Sequence, residues 1–282
     1  WRNMTPLELE RQYSARGTVP DVDVFLHAYR DQSAPMYTQL TCVPDVRYGP
    51  HADERLDLFT VPGRAAAPLF VFIHGGYWRA LTKEDSSFMA RSFTERGIAV
   101  AVINYALAPG VRLEEIVAQC RRAIVWLHHN ATRHGIDVDR ITVGGSSAGG
   151  HLGAMLLARG WQATAGVPEN VVKSGALVSG LFDLEPVQQT VVNSWLRMDA
   201  GQARSLSPIH QLPPPGTRLL LATAEADTDE FKRQSLDYAA VCKAGACEVR
   251  YLEVTARNHF DVIMDWMDAD AALTQHTWTL MD

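Results

Sequence analysis

From residue 68 onward, short apolar runs alternate with segments of helical periodicity. Leu69-Phe70-Val71-Phe72-Ile73 has no polar break, the pattern of a strand buried on both faces. Further runs at 98–103, 141–143, 176–178, 219–222 and 249–254 read the same way. The clearest helical segment places Leu113, Ile116, Val117, Cys120, Ala123, Ile124 and Leu127 on one face, and Gly135 suits its end. Before residue 68 the pattern differs. Thr5-Pro6-Leu7-Glu8 supplies a cap, a first-turn proline and the glutamate of a capping box, which predicts a short helix. A helical arm runs from there to a polar stretch at 31–34, and 44–48 and 56–61 read as paired early strands around Gly49-Pro50.

Strands alternating with helices predict the α/β class, a mostly parallel doubly wound sheet with helices on both faces. At 282 residues the chain fits one such domain spanning 1–282, with residues 1–45 as an N-terminal helical arm able to contribute to a lid. Pro213-Pro214-Pro215-Gly216 is too short for a linker and reads as a loop entering a strand.

Composition narrows the function classes. Against 26 Lys+Arg stand 32 Asp+Glu, a formal charge of −6, with no basic run to meet a nucleic acid or an anionic membrane. No apolar stretch approaches the roughly 18 residues of a spanning helix, and the first 25 residues lack the apolar core of a signal peptide. Cys42, Cys120, Cys242 and Cys247 show neither CxxC spacing nor a dense framework, so reduced thiols and a cytoplasmic setting are expected.

Three segments fall where such a sheet presents functional groups, past the carboxyl ends of its strands. Gly145-Ser146-Ser147-Ala148-Gly149 is a G-x-S-x-G between the strand at 141–143 and a helix beginning at 148. That setting forces a serine into a sharp turn that presents its oxygen. Ser147 is therefore the candidate nucleophile, with Ser146 the weaker neighbour. A phosphate cradle would need a following Lys-Ser/Thr pair or G-x-G-x-x-G spacing, and neither occurs. His74-Gly75-Gly76-Tyr77-Trp78 follows the strand at 69–73. Its glycines leave backbone N–H groups uncovered, so Gly75 and Gly76 with Ala148 form the candidate oxyanion hole. His74 reads as a structural brace of this loop, and Tyr77 and Trp78 as an aromatic wall for substrate.

The acid and base follow the serine in the chain order Ser, Asp/Glu, His. Beyond the elbow helix, His210 lies in a Ser-Pro loop and His276 inside the last helix. His259, in Asn258-His259-Phe260-Asp261 just after the strand at 249–254, is the candidate base. Asp261 is too close in sequence to support its ring. The acid comes instead from another strand end, with Asp227 ahead of Asp183 and Asp229 and Glu225 behind these. Asp229 and Glu230 can otherwise serve the dipole of the helix they open. His128, His129 and His134 gather at a helix end without the acids or cysteines of a metal set, so neither a metal nor a cofactor is expected.

Taken together, the HGGYW pentapeptide at 74–78, the elbow at Ser147, the segment 227–235 and Asn258-His259-Phe260-Asp261 resemble kynurenine formamidase (arylformamidase) and its bacterial α/β-hydrolase relatives. Tyr48-Gly49-Pro50 and Ser179-Gly180-Leu181-Phe182-Asp183-Leu184 extend the resemblance over nearly the whole chain. It implies the α/β-hydrolase fold and catalysis by Ser147, Asp227 and His259. It favours Asp227 over Asp183, whose motif reads there as structural. The implied reaction splits N-formylkynurenine into kynurenine and formate through an acyl-enzyme. A short-chain carboxylesterase or amidase is the alternative, and a non-catalytic ligand-binding member is a third class. The implied partner is a small-molecule aryl formamide or ester, with no nucleic acid and no membrane, and a homodimer is compatible with it.

Overall fold

The apolar runs become the strands of one eight-stranded sheet in the computed structural model, which describes residues 1–282. In chain order they are β1 (Cys42–Arg47), β2 (Arg55–Phe59), β3 (Ala67–Ile73), β4 (Ala99–Ile103), β5 (Ile136–Ser146), β6 (Ser174–Val178), β7 (Arg218–Ala224) and β8 (Glu248–Val254). Their spatial order is β1-β2-β4-β3-β5-β6-β7-β8. Strand β2 runs antiparallel to both its neighbours, and every pairing from β4 across to β8 is parallel. The early strands lie at 42–47 and 55–59 rather than 44–48 and 56–61. Strand β5 begins five residues before its apolar run, because Ile136 pairs with Ala67 ahead of a register shift.

The unbroken apolar runs have a simple cause. Side chains alternate across a strand, and helices cover both faces of this sheet. Leu69, Val71 and Ile73 enter one core, while Phe70 and Phe72 enter the other. Strands β4 and β7 divide in the same way, with Ala99, Ala101, Leu219 and Leu221 on the first face and Val100, Val102, Leu220 and Ala222 on the second. The Leu113–Asn130, Ala148–Leu157 and Asp229–Ala244 helices pack on the first face. Ala90–Glu95 and Ala272–Trp278 pack on the second.

Register decides what meets at the functional edge. Ile73 stands beside Gly145, Ser146 beside Val178, Val178 beside Ala222, and Ala224 beside Val254. The segments leaving β3, β5, β6, β7 and β8 therefore emerge side by side.

The arm opens with the expected capping box, Thr5 N–H donating to Glu8 Oε2 at 2.7 Å. It is then tied to the first turn of the Asp229–Ala244 helix. The Tyr13 hydroxyl, on a buried ring, donates to Glu230 Oε2 at 2.7 Å and accepts from Gln234 Nε2 at 2.7 Å. Thr228 Oγ1 donates to the Gln12 carbonyl at 2.6 Å. Burial acts to raise the Glu230 carboxyl, but Arg233 and the Tyr13 hydroxyl outweigh it and hold the group below its ordinary range. All four cysteines are free thiols, and burial pushes Cys242 up to about 12. No helix is long and apolar enough to cross a membrane.

Candidate active site

Strand β5 ends at Ser146 and the next helix begins at Ala148, so Ser147 alone makes the turn. It does so at φ 57° and ψ −119°, a strained conformation for a residue with a Cβ. Its backbone holds the geometry from both sides: Ser147 N–H donates to the Val178 carbonyl at 2.9 Å, and the Ser147 carbonyl accepts from His151 N–H at 3.0 Å. Gly149 is needed for close approach. A Cβ there would stand 2.0 Å from the Ile73 carbonyl oxygen, so a larger residue would push the helix off β3.

The loop after β3 lies against this turn. A Cβ on Gly75 would sit 2.9 Å from the Ser146 carbonyl oxygen and 3.5 Å from Ser147 Cβ. Gly76 adopts φ 91°, and Tyr77 and Trp78 follow at φ 50° and 58°. The backbone N–H groups of Gly75, Gly76 and Ala148 donate to no protein acceptor. His74 stacks on Tyr105 with ring centroids 4.1 Å apart, and the Tyr105 hydroxyl donates to the His74 carbonyl at 2.8 Å. Burial lowers the His74 imidazole to about 4, so it braces the loop as a neutral ring.

The two aromatic residues expected to form the wall separate. Tyr77 lines the cavity and its hydroxyl donates to the Tyr13 carbonyl at 2.6 Å, tying the loop to the arm. Trp78 does not line it. The left-handed backbone turns its ring inward, where it is fully buried and meets His151 edge-on at 5.0 Å. The other aromatic walls are Tyr13, Tyr29, Trp195 and Phe260, which come from distant parts of the chain.

Asp227 follows β7 and His259 follows β8, and His259 Nδ1 donates to Asp227 Oδ1 at 2.6 Å. The other carboxylate oxygen, Oδ2, accepts from Ser179 Oγ at 2.5 Å and from Ala224 N–H at 2.8 Å. Burial acts to raise the Asp227 carboxyl. The facing His259 ring, the Ser179 hydroxyl and the Ala224 amide outweigh it, holding the carboxyl below its ordinary range. The competing acids lie elsewhere. Asp183 closes a turn on Glu185 N–H at 3.0 Å, Asp229 is exposed at its helix start, and Asp261 Oδ1 accepts from Asn258 N–H. His210 faces Glu185 and His276 faces Arg250. Glu225 Oε2 accepts from Ala256 N–H. Ser179 was not among the candidates. Its sequence signals are its place directly after β6 and at the head of the 179–184 segment, and only the fold brings its hydroxyl to Asp227.

Ser146, Ser147, Gly75, Gly76 and His259 share a cavity of about 410 Å³. The arm supplies part of its wall through Tyr13, Ser14 and Tyr29. The one side-chain hydrogen bond of His259 is that to Asp227, and the Ser147 hydroxyl makes none, so both present free reactive atoms to the same space. No group of three or more His, Cys, Asp or Glu side chains is placed to hold a metal ion.

One antiparallel strand in an otherwise parallel eight-stranded sheet, with a strained serine between β5 and its helix, defines the chain as an α/β-hydrolase. A crystal structure of a candidate thioesterase from Silicibacter sp. superposes with a TM-score of 0.82 at 27% identity, covering 95% of this chain and 98% of that one. The BD-FAE family model matches residues 56–174, a span holding both the 74–78 loop and the elbow. Kynurenine formamidase of Salmo salar is 32% identical, with 98% of this chain and 96% of that protein covered. Kynurenine formamidase of Danio rerio is 30% identical over the same shares. The chain belongs to the kynurenine formamidase family.

Proposed function

We propose that this hydrolase cleaves aryl formamides through a formyl-enzyme, converting N-formylkynurenine into kynurenine and formate. The observation that carries the reading is the cavity shared by Ser147 and His259, with Asp227 Oδ1 2.6 Å from the far nitrogen of the His259 ring. Ser147 Oγ attacks the formyl carbon while His259 Nε2 takes its proton. Asp227 fixes the ring so that Nε2 is the free base, and it stabilises the imidazolium that forms. Developing charge on the formyl oxygen meets the uncommitted N–H groups of Gly75, Gly76 and Ala148. The tetrahedral intermediate collapses as His259 returns the proton to the aniline nitrogen, and kynurenine leaves. Water, deprotonated by His259, then attacks the ester carbon; collapse returns the proton to Ser147 and releases formate. The 1–45 arm acts as a lid over the aromatic walls, and the free thiols suit a reducing, cytoplasmic setting.

A second reading, a short-chain carboxylesterase, is favoured by the likeness to the Silicibacter candidate thioesterase, since the same acyl-transfer groups serve esters. The test is kcat/KM on N-formylkynurenine against acetyl, butyryl and octanoyl aryl esters. A clear preference for the formamide supports the first reading. Faster turnover of butyryl than of formyl or acetyl substrates replaces it with the second.

A further inference from the structure

The cavity carries a charge pattern that the acyl-transfer chemistry does not use. Three charged side chains line it: Glu10, Arg16 and Arg79. Glu10 is engaged, its Oε1 accepting a hydrogen bond from Val191 N–H. Neither arginine makes a guanidinium hydrogen bond or an ion pair with the protein, so two arginines against the one carboxylate of Glu10 leave the wall net positive. The two arginines differ in how they are held. Both are exposed, and Arg16 lies within the arm with no ring beneath its guanidinium. Arg79 stands on the oxyanion loop itself, its backbone N–H donating to the Gly76 carbonyl at 3.1 Å. Its guanidinium lies 4.1 Å over the Trp195 ring, and Trp195 Nε1 donates to the Tyr77 carbonyl at 3.1 Å. A stacked guanidinium is pre-ordered, and its edge N–H groups stay available for a planar anion.

We propose that Arg79 is a specificity-determining residue that binds a carboxylate on the leaving group, so that the substrates are aryl formamides whose side arm ends in a carboxylate. The inference rests on the formamidase reading. An acyl group of one carbon fills little space beside Gly75 and Gly76, and the remaining cavity receives the leaving group. Its aromatic ring lies among Tyr77, Trp195 and Phe260, and its charged arm meets the fork of Arg79. Trp195 has a double role here, giving a wall to the ring and a seat to the guanidinium.

The test compares kcat/KM on N-formylkynurenine and on 2′-formamidoacetophenone, the same aryl formamide without the charged arm. Wild-type protein is expected to prefer the carboxylate substrate. Arg79→Ala should reduce that preference about tenfold or more, mainly through KM, as expected for a charge-assisted bond made in both ground and transition states. Arg79→Lys should restore part of it, keeping the charge but losing the fork. An unchanged preference in Arg79→Ala, an equal loss on both substrates, or a collapse seen only in Arg16→Ala would each overturn the assignment. If neither formamide is hydrolysed while aryl esters are, the formamidase reading fails by itself. The same variants on 4-acetoxybenzoate and phenyl acetate then decide the role of Arg79.

Discussion

Asp227 Oδ1 accepts a hydrogen bond from His259 Nδ1 at 2.6 Å across 32 residues of chain, because β7 and β8 pair in register from Arg218 with Glu248 to Ala224 with Val254. The pairing sets the two loop starts level, and each loop then needs only a few residues to bring its side chain to the other. Both groups are buried, so little water competes for their bond.

Ser147→Ala should abolish hydrolysis, while Ser146→Ala should keep most of it, since only Ser147 occupies the strained turn. Asp227→Asn should lower kcat by about ten-thousandfold, the scale for a buried acid that orients a catalytic histidine. Asp183→Asn should cost far less, because its carboxylate closes a local turn. Organophosphate labelling followed by mass spectrometry identifies the serine. Adduct on Ser146 would move the nucleophile by one residue.

Ser179 holds the Asp227 carboxylate through its hydroxyl. Its hydroxyl is one of two protein donors other than His259 that meet the Asp227 carboxylate. A hydrogen bond to a charged group is worth about 1.5–3 kcal/mol, so Ser179→Ala should lower kcat by roughly ten- to hundredfold with little change in KM. With that donor gone the Asp227 carboxyl should titrate higher, which an amide or carboxyl chemical-shift titration reads directly. Ser179→Gly removes the same hydroxyl while relaxing the positive φ. Full activity in the glycine variant would assign the role to backbone strain instead.

Trp78→Ala should lower activity equally on formamides and on small esters. The ring fills core space beside His151, away from the cavity. Truncating a fully buried tryptophan costs about 3–5 kcal/mol, which denaturant unfolding measures. Selective loss on aromatic substrates, with stability intact, would place the ring in the binding site.

Stability should fall in acid well before the carboxylates are protonated. His74 and His151 are fully buried, and burial lowers each from 6.5 to about 4. Their folded values lie below their unfolded ones, so the unfolded chain binds protons first. Their contribution is complete above pH 6.5 and is lost as pH falls from there to about 4. Asp227 adds to the decline at lower pH, since its carboxyl is also held below its ordinary range. Thermal melts across pH 7 to 4 should show this slope, and His151→Gln should flatten part of it. A slope unchanged in that variant would remove His151 from the account.

Much of the molecule was legible in consecutive residues. The unbroken run at 69–73 announced a strand covered on both sides, and the glycines around Ser147 announced a turn that only a strand-to-helix junction uses. In both cases the chemistry lies within five residues, so the sequence by itself determined it. The Ser, Asp, His order located Asp227 and His259 at strand ends, and the sequence could rank those candidates without measuring a distance. Tertiary structure alone decided the rest. Trp78 faces inward because of a left-handed backbone that the pentapeptide does not announce. Tyr13 finds Glu230 across 217 residues, Ser179 finds Asp227 across 48, and Arg79 finds the Trp195 ring. Such pairs depend on sheet register and on how loops close over an edge. A single residue's type carries no record of the partner that register brings to it.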